Sequence, residues 1–160
     1  MIKKLFFSLF LFFLLSCSSF EFVLNDSSER NSLKNKTSIV INGTKSEKFY
    51  RELLSFFGNN KDGEFILIAE FSEKKENRVV KKNQVAEKID YEIKVNYEVF
   101  YKNKKCKIYN KEIVSKFSFV PKSFGYNFGT DRSLEKLYKN SIRKNIKNFI
   151  DVFPKNTSCI

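Results

Sequence analysis

The chain contains no histidine and no tryptophan, and only five glycines, two prolines and one methionine. Histidine is the commonest general acid or base near neutral pH and the commonest nitrogen ligand for metals. We therefore expect no enzyme, no metal site and no cofactor. Glu92 and Glu98 are the only regularly placed carboxylates, and six strand residues, about 20 Å, separate them. That distance is too long for a glycosidase pair, so both are expected to be strand-surface charges.

The chain also lacks a long hydrophobic run. Its most apolar block extends from Leu5 to Leu15, is interrupted only by Ser8 and follows Lys3 and Lys4. A helix of this length spans about 16 Å, roughly half of a bilayer's hydrocarbon core, so we do not expect it to cross a membrane. A positive end followed by a short apolar core and a small residue is typical of a secretory signal.

The signal ends in Leu14-Leu15-Ser16-Cys17. This tetrapeptide resembles the lipobox of bacterial lipoproteins, in which the cysteine becomes the first mature residue and is acylated. The alternative is an ordinary signal peptide with a chance cysteine. The lipoprotein interpretation divides the chain into four parts: a signal peptide (1–16), an acylated N-terminus with a flexible tether (17–37), a folded domain (38–154) and a C-terminal tail (155–160).

Basic residues outnumber acidic ones by 30 to 18, and only five of the basic residues are arginine. Removing the signal leaves a charge of 28 − 18 = +10. Such an excess suggests an anionic partner, and export excludes nucleic acid in favour of lipid headgroups or anionic glycolipid. Lysine, asparagine, isoleucine and phenylalanine are all abundant, so codon bias in an AT-rich genome is an alternative source of the charge.

Hydrophobic periodicity predicts six elements in the order β-α-β-β-β-α. They are a strand from Thr37 to Ile41, a helix between Ser46 and Gly58, strands from Glu64 to Phe71, Ala86 to Tyr101 and Cys106 to Phe119, and a helix capped by Thr130 or Asp131 and ended by Pro154. A charged, hairpin-like connection is predicted from Ser72 to Gln84, and a loop from Pro121 to Gly129. Each helix has one apolar stripe and the sheet has one strongly apolar face. The predicted fold is therefore α+β, a two-layer sandwich with both helices on one face of a four-stranded sheet.

A lipobox, a short tether, this element order and a long closing helix together resemble the LPS-assembly lipoprotein (LptE) family, in a divergent, alphaproteobacterial-like form. The resemblance covers essentially the whole chain and depends on layout more than on identity. The matching stretches are Cys17-Ser18-Ser19-Phe20, Ile39-Val40-Ile41 with the helix containing Arg51, Phe65 to Phe71, Ala86-Glu87, and Tyr91-Glu92-Ile93.

The resemblance implies a non-catalytic outer-membrane subunit that assembles with an LptD-type β-barrel, plugs it and binds lipopolysaccharide. It also implies an anchor at the periplasmic side of the outer membrane through acylated Cys17, and Ser18 fits outer-membrane sorting. The alternative is a generic periplasm-facing envelope lipoprotein of similar fold, acting as an assembly or interaction module.

Two groups of basic residues are candidate anion contacts. Arg78, Lys81, Lys82 and Lys122 would bind lipid A phosphates or acidic core sugars through charge-assisted hydrogen bonds. The alternative for these residues is a solvated loop in a lysine-rich protein. A basic stripe on the last helix would either touch anionic headgroups or form that helix's ordinary wet face: Lys136, Lys139, Arg143 and Lys147.

Cys106 and Cys159 remain once Cys17 carries lipid, and two thiols in an oxidising periplasm usually pair. A bridge would enclose about 52 residues and contribute about 4 kcal/mol by the loop-entropy estimate. Because the distance between the two cannot be read from sequence, the pairing stays open at this point.

Overall fold

The computed structural model describes residues 31–43, 46–80, 86–121, 128–156 and 158–159. Its elements follow the predicted order β-α-β-β-β-α. They are β1 (Thr37–Gly43), α1 (Glu47–Phe57), β2 (Phe65–Val80), β3 (Ala86–Tyr101), β4 (Cys106–Phe119) and α2 (Phe128–Val152).

The four strands form one mixed sheet in the order β1-β2-β3-β4. β1 is parallel to β2, with Thr37 opposite Phe65 and Gly43 opposite Phe71. The other two pairings are antiparallel. A parallel pair needs a crossover connection, and α1 supplies it between β1 and β2.

Helix α1 begins and ends where its flanking residues predict. The backbone N–H of Phe49 donates to Ser46 Oγ at 3.3 Å, which caps the first turn. Gly58 ends the helix with φ +71°, and its N–H donates to the Leu54 carbonyl at 2.9 Å. A Cβ at Gly58 would lie 2.5 Å from Asn35 Oδ1, so both the conformation and the space favour glycine.

The core lies between one face of the sheet and the two helices. It includes Phe49, Leu53 and Phe57 of α1, alternate residues of β2 and β3, and Ile142, Ile146, Phe149 and Ile150 of α2. Both helices therefore cover the same face, and the predicted two-layer α+β sandwich is confirmed.

β2 is longer than the sequence predicted. Ser72 to Arg78 continue the strand and pair with Lys94 to Lys88 of β3, so this part of the expected connection is strand. All seven side chains from Ser72 to Arg78 are exposed. The prediction was wrong here because a strand with two wet faces has no apolar alternation to reveal it.

The final part of the expected tether is also folded. Leu33 is only 1% exposed and belongs to the core. Its carbonyl accepts from Thr37 Oγ1 at 2.6 Å, and Asn31 Nδ2 donates to the Phe56 carbonyl at 2.9 Å. Residues 31–37 are therefore part of the domain, because Leu33 and these hydrogen bonds attach the segment although its lysines stay exposed.

Helix α2 starts earlier than expected. It begins at Phe128, so Thr130 and Asp131 lie within its first turn rather than capping it, and the loop predicted to reach Gly129 is shorter. Its end at Val152, just before Pro154, agrees with the expected stop.

Candidate functional surfaces

Of the four expected anion contacts, the structure describes Arg78 alone. Lys81, Lys82 and Lys122 lie outside the described residues, as does Cys17. Arg78 is in the extended part of β2, on the face of the sheet opposite the helices. Its side chain is 65% exposed, and its Nε lies 2.6 Å from Asp90 Oδ2. Any anion that binds Arg78 must therefore compete with Asp90 or share the guanidinium with it.

Asp90 is the centre of a small polar network. Ser118 Oγ donates to its carboxylate at 2.7 Å, and Lys88 Nζ approaches within 3.7 Å. The Ser118 hydroxyl, with smaller effects from Lys88 and Arg78, lowers the pKa of Asp90 below its ordinary value. The carboxylate is therefore ionised at neutral pH and holds the guanidinium in place.

The neighbouring charges on this face are also paired. Lys74 contacts Glu76 at 2.6 Å and Lys116 contacts Glu92 at 2.7 Å. A hydrogen bond from the lysine is the main cause that lowers the pKa of each glutamate. A shallow depression of about 280 Å³ lies among these pairs and Arg78. Since cations and carboxylates alternate around it, it suits a ligand that carries both donors and acceptors.

Glu92 and Glu98, expected to be strand-surface charges, both lie in ion pairs. Glu98 accepts from Lys107 Nζ at 2.5 Å, on the adjacent strand β4. The two glutamates therefore serve cross-strand contacts on the outer face.

The basic stripe of α2 divides into two parts. Lys139 and Arg143 point to Glu52 of α1, at 3.5 and 3.7 Å, and Arg143 also lies over the Phe56 ring at 5.6 Å. Glu52 is only 13% exposed, so these contacts join the two helices. Sequence reasoning missed Glu52, although its position beside Leu53 placed it at the border of the apolar stripe.

The other two members of that stripe, Lys136 and Lys147, make no ion pair within the described ranges. They are exposed on the outer side of α2.

A cleft of about 340 Å³ lies where the N-terminal half of α2 meets β2. Tyr138 donates its hydroxyl proton to Glu73 Oε2 at 2.5 Å there. Burial, and secondarily Glu73, raise the pKa of Tyr138 well above its ordinary value. The phenol is therefore a fixed donor at neutral pH, and the contact attaches α2 to the extended part of β2.

One buried polar cluster lies inside the core. Tyr97 donates its hydroxyl to Asn145 Oδ1 at 2.8 Å, and Asn145 Nδ2 donates to the Ile113 carbonyl at 2.9 Å. Tyr97 and Asn145 are both fully buried. Burial also raises the pKa of Tyr97, so its hydroxyl stays protonated and the cluster is satisfied.

Cys106 and Cys159 form a disulfide, with sulfurs 2.05 Å apart and Cα atoms 5.6 Å apart. The bond attaches the segment after α2 to the first residue of β4. The segment after α2 is therefore held at the end of the sheet where β1 also begins.

Three solved structures have a similar fold. A protein described as a lipoprotein from Caulobacter crescentus is 8% identical, with a TM-score of 0.56 over 78% of this chain and 90% of that chain. Rare lipoprotein B from Shewanella oneidensis is 14% identical, with a TM-score of 0.50 over 71% and 89%. A minor lipoprotein from Acinetobacter baumannii is 12% identical, with a TM-score of 0.55 over 74% and 90%.

At these identities the likeness establishes the fold, which this chain shares with bacterial lipoproteins. No protein-family model and no curated protein matches the sequence. Among the described residues, no helix is long and apolar enough to cross a membrane.

Proposed function

We propose that this protein is a non-catalytic outer-membrane lipoprotein of the lipopolysaccharide translocon. Acylated Cys17 anchors it on the periplasmic side, and the domain assembles with an LptD-type β-barrel, plugs it and binds lipopolysaccharide. The observation that carries the proposal is the fold that this chain shares with bacterial lipoproteins, rare lipoprotein B among them, and the LptE-like layout of its sequence supports the assignment. The lipobox-like Leu14 to Cys17 supports the anchored location.

The outer face of the sheet suits the inside of a barrel. Outer-membrane barrels have a polar interior. Because the lysines and glutamates on the outer face of the sheet are paired, this face can contact such an interior without burying an unpaired charge. A smaller apolar patch lies on the same face, where Val40 is opposite Ile68 and Ile66 is opposite Phe100. Val40 is 41% exposed. An apolar patch with a polar border is typical of a specific protein interface.

The lipopolysaccharide site is proposed at the far end of β2. Arg78 is thirteen residues from Phe65, about 43 Å along the strand, and Lys81 and Lys82 come next in the chain after β2 ends at Val80. Lysine lacks the planar fork of arginine, so the two lysines would contact phosphates as point charges. Asp90 holds Arg78 in position for a phosphate that approaches from outside the pair.

Affinity purification from mild-detergent outer-membrane extracts tests the barrel partner. Tagged protein is expected to recover a β-barrel of much larger mass, and its depletion should reduce lipopolysaccharide at the cell surface. A Cys17→Ser variant controls for the anchor, and we expect a smaller share of it than of the wild-type protein in the membrane fraction. Recovery of the protein alone, with normal surface lipopolysaccharide, would support the generic envelope lipoprotein instead.

Charge reversal tests the lipopolysaccharide site. The double variant Lys81→Glu and Lys82→Glu should weaken binding to lipopolysaccharide in vitro by at least about tenfold, because each reversal replaces an attraction to phosphate by a repulsion. Lys144→Glu with Lys147→Glu is the matched control, since it changes the net charge equally on the exposed side of α2. Unchanged binding by the first variant, or equal loss by both, would contradict the assignment.

A further inference from the structure

One end of the domain is formed by four segments: 31–36, 58–64, 102–105, and 153–156 with 158–159. Hydrogen bonds join the first three: Asn60 Nδ2 to the Asn35 carbonyl at 3.0 Å, Lys102 N–H to the Glu64 carbonyl at 2.9 Å, and Lys102 Nζ to the Lys61 carbonyl at 2.8 Å. The Cys106–Cys159 disulfide attaches the fourth. We call this surface the basic end.

The basic end carries seven exposed lysines and only two acidic residues within the described part of those segments. The lysines are Lys34, Lys36, Lys61, Lys102, Lys104, Lys105 and Lys155. The acidic residues are Asp62 and Glu64. None of these lysines makes an ion pair with another described residue, whereas the lysines of the outer sheet face that the structure describes do. An excess of +5 is therefore left uncompensated at one place.

The chain also enters the domain at the basic end. Asn31 is the first described residue and lies in the first of the four segments. Cys17 precedes it by fourteen residues, which reach at most about 50 Å when fully extended. The far end of β2 is itself about 50 Å from the start of that strand. An anchor at Cys17 therefore lets the basic end, where the described chain starts, reach the membrane surface.

We propose that the basic end docks on anionic phospholipid headgroups of the leaflet that holds Cys17. The proposal rests on the anchoring part of the proposed function, but not on the barrel or on lipopolysaccharide. Weak lipid anchors are commonly strengthened by a polybasic patch. Each lysine near an anionic surface raises the binding constant about fivefold, and salt screens the effect within a Debye length. Docking would direct the Arg78 end of β2 away from the bilayer.

Vesicle co-sedimentation tests the proposal. The protein is the mature chain from residue 17 with Cys17→Ser, which keeps every core residue in the described part of the chain. Vesicles contain phosphatidylcholine alone or with about one third phosphatidylglycerol. We expect binding to the anionic vesicles only, and its loss at high salt, where the Debye length falls to about 3 Å. Equal binding to both vesicles, or to neither, overturns the proposal.

Two triple variants with identical net charge locate the surface. Lys34→Gln, Lys61→Gln and Lys105→Gln should reduce binding to anionic vesicles roughly 100-fold, at about fivefold for each lysine. Lys136→Gln, Lys144→Gln and Lys147→Gln, on the exposed side of α2, should reduce it by less than about threefold, since they lie outside the docking surface. All six side chains are exposed, and far-ultraviolet circular dichroism checks that both variants fold.

Equal losses in the two variants would mean that net charge alone drives binding, which overturns the proposal. So would a first variant that loses lipopolysaccharide binding while it keeps phosphatidylglycerol binding. A failure to recover a barrel partner leaves the vesicle result unaffected, so the two proposals can fail separately.

Discussion

Asn145 of α2 makes two buried hydrogen bonds that an apolar side chain at the same position could not make. It lies on the core-facing side of α2 between Ile142 and Ile146, and it connects Tyr97 of β3 to the backbone of β4. Its amide offers an acceptor to the tyrosine and a donor to the carbonyl, so it satisfies two different groups at once. We infer that it sets how α2 is aligned over the sheet.

We expect Asn145→Leu to lower the free energy of unfolding by about 2 to 4 kcal/mol, because it leaves a buried hydroxyl and a buried carbonyl unsatisfied. Tyr97→Phe should cost about 1 kcal/mol, and the double variant should cost less than the sum, since no hydroxyl is then orphaned. Urea unfolding measures all three.

Asn140→Ala, at an exposed position of the same helix, serves as the control and should change stability by less than about 0.5 kcal/mol. If the double variant loses as much free energy of unfolding as Asn145→Leu and Tyr97→Phe lose together, the proposed coupling between the two side chains is contradicted.

At the scale of elements, sequence periodicity located the half-buried strands accurately. The predicted bounds of β3 and β4 agree with the structure because each has one apolar and one wet face. The same reasoning failed for Ser72 to Arg78, which are exposed on both faces, and for the start of α2, whose first turn holds no apolar stripe beyond Phe128. Periodicity reports burial rather than hydrogen bonding, so it cannot detect an element that buries little.

The disulfide links two elements, because it attaches the segment after α2 to the start of β4. Its sequence separation of 53 residues gives a loop-entropy contribution of about 4 kcal/mol. We therefore expect a reductant to lower the free energy of unfolding of the wild-type protein by up to about that amount. Paired urea titrations with and without reductant measure the change.

The variant with both Cys106→Ser and Cys159→Ser should unfold at the lower midpoint and should not respond to reductant. If the wild-type protein also fails to respond, the bridge contributes nothing to stability.

For the whole molecule, the layers could be predicted from sequence but the sheet order could not. Apolar stripes show which faces are buried, whereas the choice of neighbours depends on contacts between residues far apart in the chain. The same limit applies to the candidate site. Arg78 was selected for its charge, but its partner Asp90 becomes evident only with the β2–β3 register, in which Glu76 is opposite Asp90.

The domain has one continuous core, to which residue Leu33, both helices and all four strands contribute. Since Phe149 contacts the rings of Phe57 and Tyr97, the two helices and the sheet share side-chain packing. We expect one cooperative unfolding transition, with the same midpoint by far-ultraviolet circular dichroism and by tyrosine fluorescence. Two separated midpoints would show that a helix or the β2–β3 extension unfolds independently.

The difference in length between β1 and β2 has a consequence for self-association. β1 stops opposite Phe71, and no described strand pairs with that side of β2 from Ser72 to Val80. Exposed strand edges invite pairing with other chains, and closely spaced charges discourage it. Glu73, Lys74, Lys75, Glu76 and Arg78 are placed along this edge. This edge of β2 thus carries charges that disfavour its pairing with a second copy of the chain.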